Sequence, residues 1–139
     1  MIRTICAIFL GLIAGMAFNM AISMLNLMLY PMPEGVTFDD PEAVAPYIEG
    51  LPVLALLIVM VAHLGQAFLG GWVAAKISKN SLMLAAMTVG VLSMLAGIYN
   101  ILSLPLPTWM WIEMPLYLVA AWIAGQIELK RRAAALITK

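Results

Sequence analysis

Residues 51–78, LPVLALLIVMVAHLGQAFLGGWVAAKIS, decide the fold class of this chain. Apart from His63 and the near-terminal Lys76, the stretch carries no ionisable side chain. A bilayer core of about 30 Å is crossed by about 20 apolar residues in helical form, and this run supplies them. Pro52 suits a first helical turn, where its missing N–H costs nothing. The stretch is therefore predicted to be a transmembrane helix from about Leu51 to about Ser78.

Three more runs of the same kind surround it. One extends from about Thr4 to Tyr30 and stops at Pro31-Met32-Pro33. Another extends from about Ser81, in N-cap position, to Leu104. After the turn Pro105-Leu106-Pro107-Thr108, the last continues from Trp109 to about Lys130. The run after Arg3 resembles a signal peptide at its start, but it continues far beyond a signal's short apolar region. It is read as a retained first helix.

These four spans account for the composition. The 139 residues are 65% hydrophobic and only 10% charged, with a mean hydropathy of +1.05. A soluble domain carries about 25% charged residues, so this chain cannot cover a water-facing surface. The expected fold is all-α: a single four-helix transmembrane domain spanning residues 1–139. Net charge is zero, and no basic patch interleaved with aromatics points to nucleic acid. The single cysteine, Cys6, excludes the paired-thiol chemistry of four-helix quinone-reducing enzymes.

The charges fix an orientation. All seven basic residues (Arg3, Lys76, Lys79, Lys130, Arg131, Arg132 and Lys139) fall on one side of the predicted spans. The other side carries Glu34, Asp39, Asp40, Glu42 and Glu49. The positive-inside rule then puts both termini in the cytoplasm and the loop 31–50 outside. Trp109 and Trp111 mark the outer interface, and Trp72 and Trp122 lie nearer the inner one. Within the loop, Asp40-Pro41-Glu42 reads as a helix start. Val44, Tyr47, Ile48 and Leu51 share one face of the helix that follows, which suggests an amphipathic segment on the membrane surface, distorted at Pro46.

The two halves of the chain resemble each other. Asn26-x4-Pro31-x-Pro33 repeats as Asn100-x4-Pro105-x-Pro107. The stretch LGGWVAAKI at 69–77 matches VAAWIAGQI at 119–127. Two helical hairpins related by a pseudo-twofold axis along the membrane normal are expected. His63 and Glu113 then become equivalent positions, each nine residues before its tryptophan. At about 1.5 Å per residue, each lies about 13 Å outward from it.

Candidate chemistry centres on that pair. Ionisable groups inside a membrane usually face a cavity or each other, so His63 and Glu113 are candidates for a proton, cation or solute site. Asn26 and Asn100, nearer the outer face, and Gln66, one turn from His63, complete the candidate ligand-binding set. The competing reading is a packing hydrogen bond, with Glu113 reaching the outer headgroups. Gly11, Gly15, Asn19, Ser23 and Asn26 form one helical stripe, and Ala86, Gly90, Ser93, Gly97 and Asn100 another, as do small residues of span two; these read as packing faces. Met16, Met20, Met24 and Met28 recur every four residues. Thioethers bind Cu(I), but such a stripe is more often adaptable apolar filler. Pro115 is expected to kink the last span near Glu113. No serine–histidine–acid set, phosphate loop or metal-ligand spacing is present, and no cofactor is expected.

Several segments together resemble a widespread family of small bacterial four-span inner-membrane proteins. They are Pro31-x-Pro33 with Asp40-Pro41-Glu42, Gly50-Leu51-Pro52, His63-Leu64-Gly65 before Gly70-Gly71-Trp72, and Asn100 before Pro105-x-Pro107-x-Trp109. The resemblance implies a bacterial inner membrane and carries no activity to any residue. The first functional expectation is non-enzymatic: an accessory or interaction subunit, or a binder of a small lipophilic molecule. Its partners would be the lipid bilayer and a membrane protein or further copies of itself. The alternative is a small-solute or ion transporter or channel working as an oligomer through His63 and Glu113. An enzyme comes third: the trimeric four-span glutathione-using enzymes need arginines at an anionic cofactor, and these spans have none. Antiparallel dual-topology dimers conflict with the one-sided charge.

Overall fold

The computed structural model describes residues 2–137, so Met1 and the predicted cytoplasmic Lys139 lie outside the described residues. Among them every element is helical, without strands. The elements are α1 (Ile2–Leu29), α2 (Pro41–Gly50), α3 (Val53–Ile77), α4 (Leu82–Ser103), a 3-10 turn (Thr108–Ile112) and α5 (Glu113–Ile137). Four of the helices are long and apolar enough to cross a membrane: α1, α3, α4, and α5 with its 3-10 turn. The chain is thus a multi-pass, all-α membrane protein, with span boundaries within a few residues of those predicted except at the end of α5. That helix continues past Lys130 to Ile137.

Polarity does not separate the inner faces of these helices from the outer ones; size does. On α1 the buried positions are Ala7, Gly11, Gly15 and Asn26, whereas Phe9, Ile13, Met16, Met20, Met24 and Met28 point outward. With lipid as solvent, apolar burial gives helices no reason to associate, and close backbone approach does. A methyl group on Gly11 would collide with the Gly70 carbonyl and lie 2.9 Å from the Ala74 side chain. The methionine stripe thus faces away from the bundle interior.

α3 is the hub, packing on α1, α4 and α5, while α1 has only marginal contact with α5. Leu56, Ala67, Ile101, Met110, Met114 and Tyr117 form a core among α3, α4 and α5. A second cluster, Ala74, Ala85 and Val89, packs with Ile8 and Leu12 of α1.

The basic residues gather at one end. Arg3 Nε donates to the Ile77 carbonyl at 2.9 Å. Arg132 donates to the carbonyls of Ala75, Lys76, Ser78 and Lys79 at 2.7–3.1 Å, closing the C-terminus of α3. Behind it, the fully buried Glu128 accepts from both Arg131 and Arg132. Lys76 Nζ lies 4.8 Å from the Trp72 ring centre.

Local expectations fare unevenly. Asp40 caps α2, accepting from the Glu42 and Ala43 amides at 3.1 Å. Pro46 sits inside α2, which remains continuous around it. The apolar face of α2 does not lie free on a membrane surface: Val44 and Ile48 are buried. Tyr47 Oη donates to the Tyr30 carbonyl at 2.7 Å, tying α2 to the end of α1. Pro115 is the third residue of α5. In a first turn its missing N–H removes no helical bond, so it starts the helix instead of kinking it. Ser81 stands at the N-cap of α4, but its side chain makes no capping bond.

Candidate functional site

The site begins with a carboxylate that has no access to water. Glu113 is the first residue of α5 and is fully buried. Its Oε2 and Oε1 lie 3.2 and 3.4 Å from His63 Nδ1, across the α3–α5 contact. The expectation that these two residues meet is met, and Glu113 does not reach the headgroup water. The His63 and Tyr117 rings stack with centroids 6.3 Å apart and planes 25° apart. Tyr117 lies one helical turn after Glu113, so α5 holds both the anion and the ring that orients the imidazole.

His63 also lines a cavity of about 610 Å³, within the range of about 300–1,000 Å³ usual for small-molecule sites. The cavity occupies the end of the bundle opposite the arginines. Its walls come from the last turns of α1 (Ser23, Asn26, Leu27), from Pro41, Tyr47 and Ile48 of α2, from the first half of α3 (Leu56, Val59, His63) and from the end of α4 (Tyr99, Asn100, Ser103). Phe38 and Asp39 complete the rim. His63 lies seven positions after Leu56 on α3. At about 1.5 Å per residue, it is about 10 Å deeper than that wall residue. The histidine is its floor.

Three of the five candidate residues, His63, Asn26 and Asn100, therefore face one space, and Glu113 stands directly behind the first. Asn26 is buried, and its Oδ1 has no hydrogen-bond partner among the described residues. Gln66 is not part of the cavity wall. It lies one turn below His63, accepting from Asn19 Nδ2 at 2.7 Å and donating to Ser93 Oγ at 3.5 Å. Ser23 donates to Asn19 Oδ1 at 3.1 Å, extending this polar chain back to the cavity. Ser23, Asn19 and Ser93, read from the sequence as packing residues, thus connect three helices by hydrogen bonds.

The sequence reading missed Tyr117, Tyr47 and Glu128. Tyr117 falls one turn after Glu113, a spacing that marks it as a neighbour of any group meeting that carboxylate. Tyr47 was read as part of a lipid-facing stripe, yet its hydroxyl needs a partner when buried. Burial pushes the Tyr47 phenol above its ordinary pKa, so it stays a donor to Tyr30.

No three metal-binding side chains of the His, Cys, Asp and Glu types cluster among the described residues. No family model, curated protein or solved structure matches the chain.

Proposed function

We propose that this protein binds a small lipophilic molecule in the cavity above His63, at the non-cytoplasmic end of the bundle. The observation that carries the reading is the convergence of His63, Asn26 and Asn100 on one cavity whose wall is otherwise mostly apolar, with Ser23, Ser103 and two tyrosines set among its leucines, Ile48 and Val59. Few polar groups in a mostly apolar space is the make-up of a site that orients a ligand by hydrogen bonds and holds it by apolar contact. Native mass spectrometry of the protein purified from membranes tests it. A bound molecule of small mass is expected on the wild type and absent from Asn100→Trp, whose indole would project into the cavity beside His63 and Asn26. An identical spectrum for both proteins would remove the reading.

A second reading, movement of a proton or small solute through an oligomer, is favoured by one observation. The chain Ser23–Asn19–Gln66–Ser93 continues the polar surface one turn deeper than His63. Proteoliposomes report it directly: a pH-sensitive dye inside the vesicle would respond to an imposed gradient, and Gln66→Leu would slow that response.

The orientation with both termini cytoplasmic, and residence in a bacterial inner membrane, belong to the same proposal. The collection of the basic side chains at one end of the bundle supports them. The internal duplication is proposed as well. His63 and Glu113 meet where α3 touches α5, the helix pair that a twofold axis would relate to itself. Against a strict twofold, α4 packs on α3 while α1 scarcely touches α5. Superposition of 11–33 plus 63–77 on 85–107 plus 113–127 decides the matter; a rotation far from a half-turn would end it.

A further inference from the structure

The ligand proposed above can be narrowed, on the basis of that reading, by counting protons on the His63–Glu113 pair. Glu113 is fully buried and has one ionisable partner, His63. The nearest cation on α3 is Lys76, thirteen residues away, which is about 20 Å along the helix axis. An uncompensated charge at this depth is expensive, so the pair as a whole is net neutral. Two arrangements meet that condition without leaving a buried carboxyl proton unbonded. In one, an imidazolium faces a carboxylate, and both ring nitrogens carry protons. In the other, the carboxyl group keeps its proton and donates it to Nδ1, which leaves the single imidazole proton on Nε2. Since Nδ1 is the nitrogen that faces Glu113, both arrangements give Nε2 a proton. A bare Nε2 would require either a net-negative pair or a buried Glu113 O–H left without an acceptor while Nδ1–H donates to the carboxyl carbonyl, and both are costly.

The other groups facing the cavity point the same way. Asp39 at the rim is the one charged residue among its walls, and no lysine or arginine lines it. A negative rim above a neutral pair opposes an anionic ligand. Tyr117, stacked on His63, is uncharged and adds no counter-charge. We propose that the cavity takes an uncharged lipophilic carbonyl compound (a ketone, quinone or ester), with its oxygen accepting from His63 Nε2–H and its apolar body against Leu56 and Val59. The chemistry distinguishes this class from fatty acids and acidic phospholipids, whose anionic heads meet no uncompensated cation in the cavity.

His63 is the only histidine in the chain, so a protein labelled with ¹⁵N-histidine gives one pair of ring signals without assignment. In lipid, Nε2 is expected to show the shift and one-bond proton coupling of a protonated nitrogen. An unprotonated Nε2 would overturn the inference and leave the cavity reading standing. Binding is measured in parallel with three probes: heptanophenone and heptylbenzene, matched in size, and the smaller anionic octanoate. The ketone is expected to bind about tenfold tighter than the hydrocarbon, the effect of one good hydrogen bond, and octanoate weakest of the three. The double replacement His63→Phe with Glu113→Met, which removes the donor without stranding a buried carboxyl group, should erase the ketone's advantage over the hydrocarbon. Equal affinities for ketone and hydrocarbon, or a preference for octanoate, would overturn the carbonyl class alone. Failure of all three probes, with Nε2 protonated, would overturn the binding site itself and this inference with it.

Discussion

Gly97 of α4 lies against the Tyr117 ring of α5 so closely that a methyl group there would sit 2.5 Å from the phenol oxygen. Tyr117 is buried and stacks on His63, so a small residue on one helix sets the position of an imidazole on another. Gly97→Ala is expected to destabilise the protein by roughly 1–3 kcal/mol through overpacking. It should also move the His63 ring signals. Gly50→Ala, with open space around it, is the control and should leave the thermal transition in detergent unchanged.

The His63–Glu113 pair predicts an asymmetry between single and double replacements. His63→Ala strands a buried carboxylate, a loss of roughly 3–5 kcal/mol. The double replacement His63→Phe with Glu113→Met removes both charges at similar volume and should recover most of that loss. Thermal unfolding of the variants in the same detergent measures it. A double variant no more stable than His63→Ala would show that the pair does not act as a charge pair.

At the opposite end, Arg132 joins α5 to the terminus of α3 through four carbonyls. Arg132→Ala is expected to cost about 1–3 kcal/mol, since each of these is a hydrogen bond from a charged donor. Arg132→Lys should restore only part of it, because an ammonium is a point charge and cannot span the fork. Hydrogen exchange at the last turn of α3 is the sensitive readout; protection there should fall in both variants.

Asp40 holds the start of α2, and α2 forms part of the cavity wall. Asp40→Ala removes two capping bonds and should cost the helix about 1 kcal/mol. In a Cys6→Ser background, a cysteine placed at Ser103 in the cavity should then react faster with a water-soluble maleimide. An unchanged labelling rate would mean that α2 does not control access.

The orientation is checked with reporter fusions. A reporter after Glu42 should be active outside the cytoplasm, and one after Lys79 inside it. The same compartment for both would contradict the crossing of α3 between them.

The spans were legible because the bilayer imposes a length and an apolarity that few soluble segments satisfy. The charge sidedness was legible because it is a matter of composition at span ends. The meeting of His63 with Glu113 was legible only through the internal similarity that gave them one depth. What the sequence concealed were matters of facing. Gln66 and His63 are one turn apart on α3, yet one bonds to Asn19 and Ser93 and the other lines the cavity. A 3.6-residue periodicity is weak when lipid-facing and buried sides are both apolar, so no stripe of polarity separates the two directions.

The sequence by itself thus determined four apolar spans, the gathering of basic residues at one set of their ends and the rarity of ionisable groups within them, since solvent preference acts on each residue separately. Only the tertiary structure decided that α3 is the hub, that α2 folds down as a wall of the cavity, and that Asn26, Asn100 and His63 share that cavity. Those outcomes depend on which small residues let which backbones approach, and that is a property of pairs of helices.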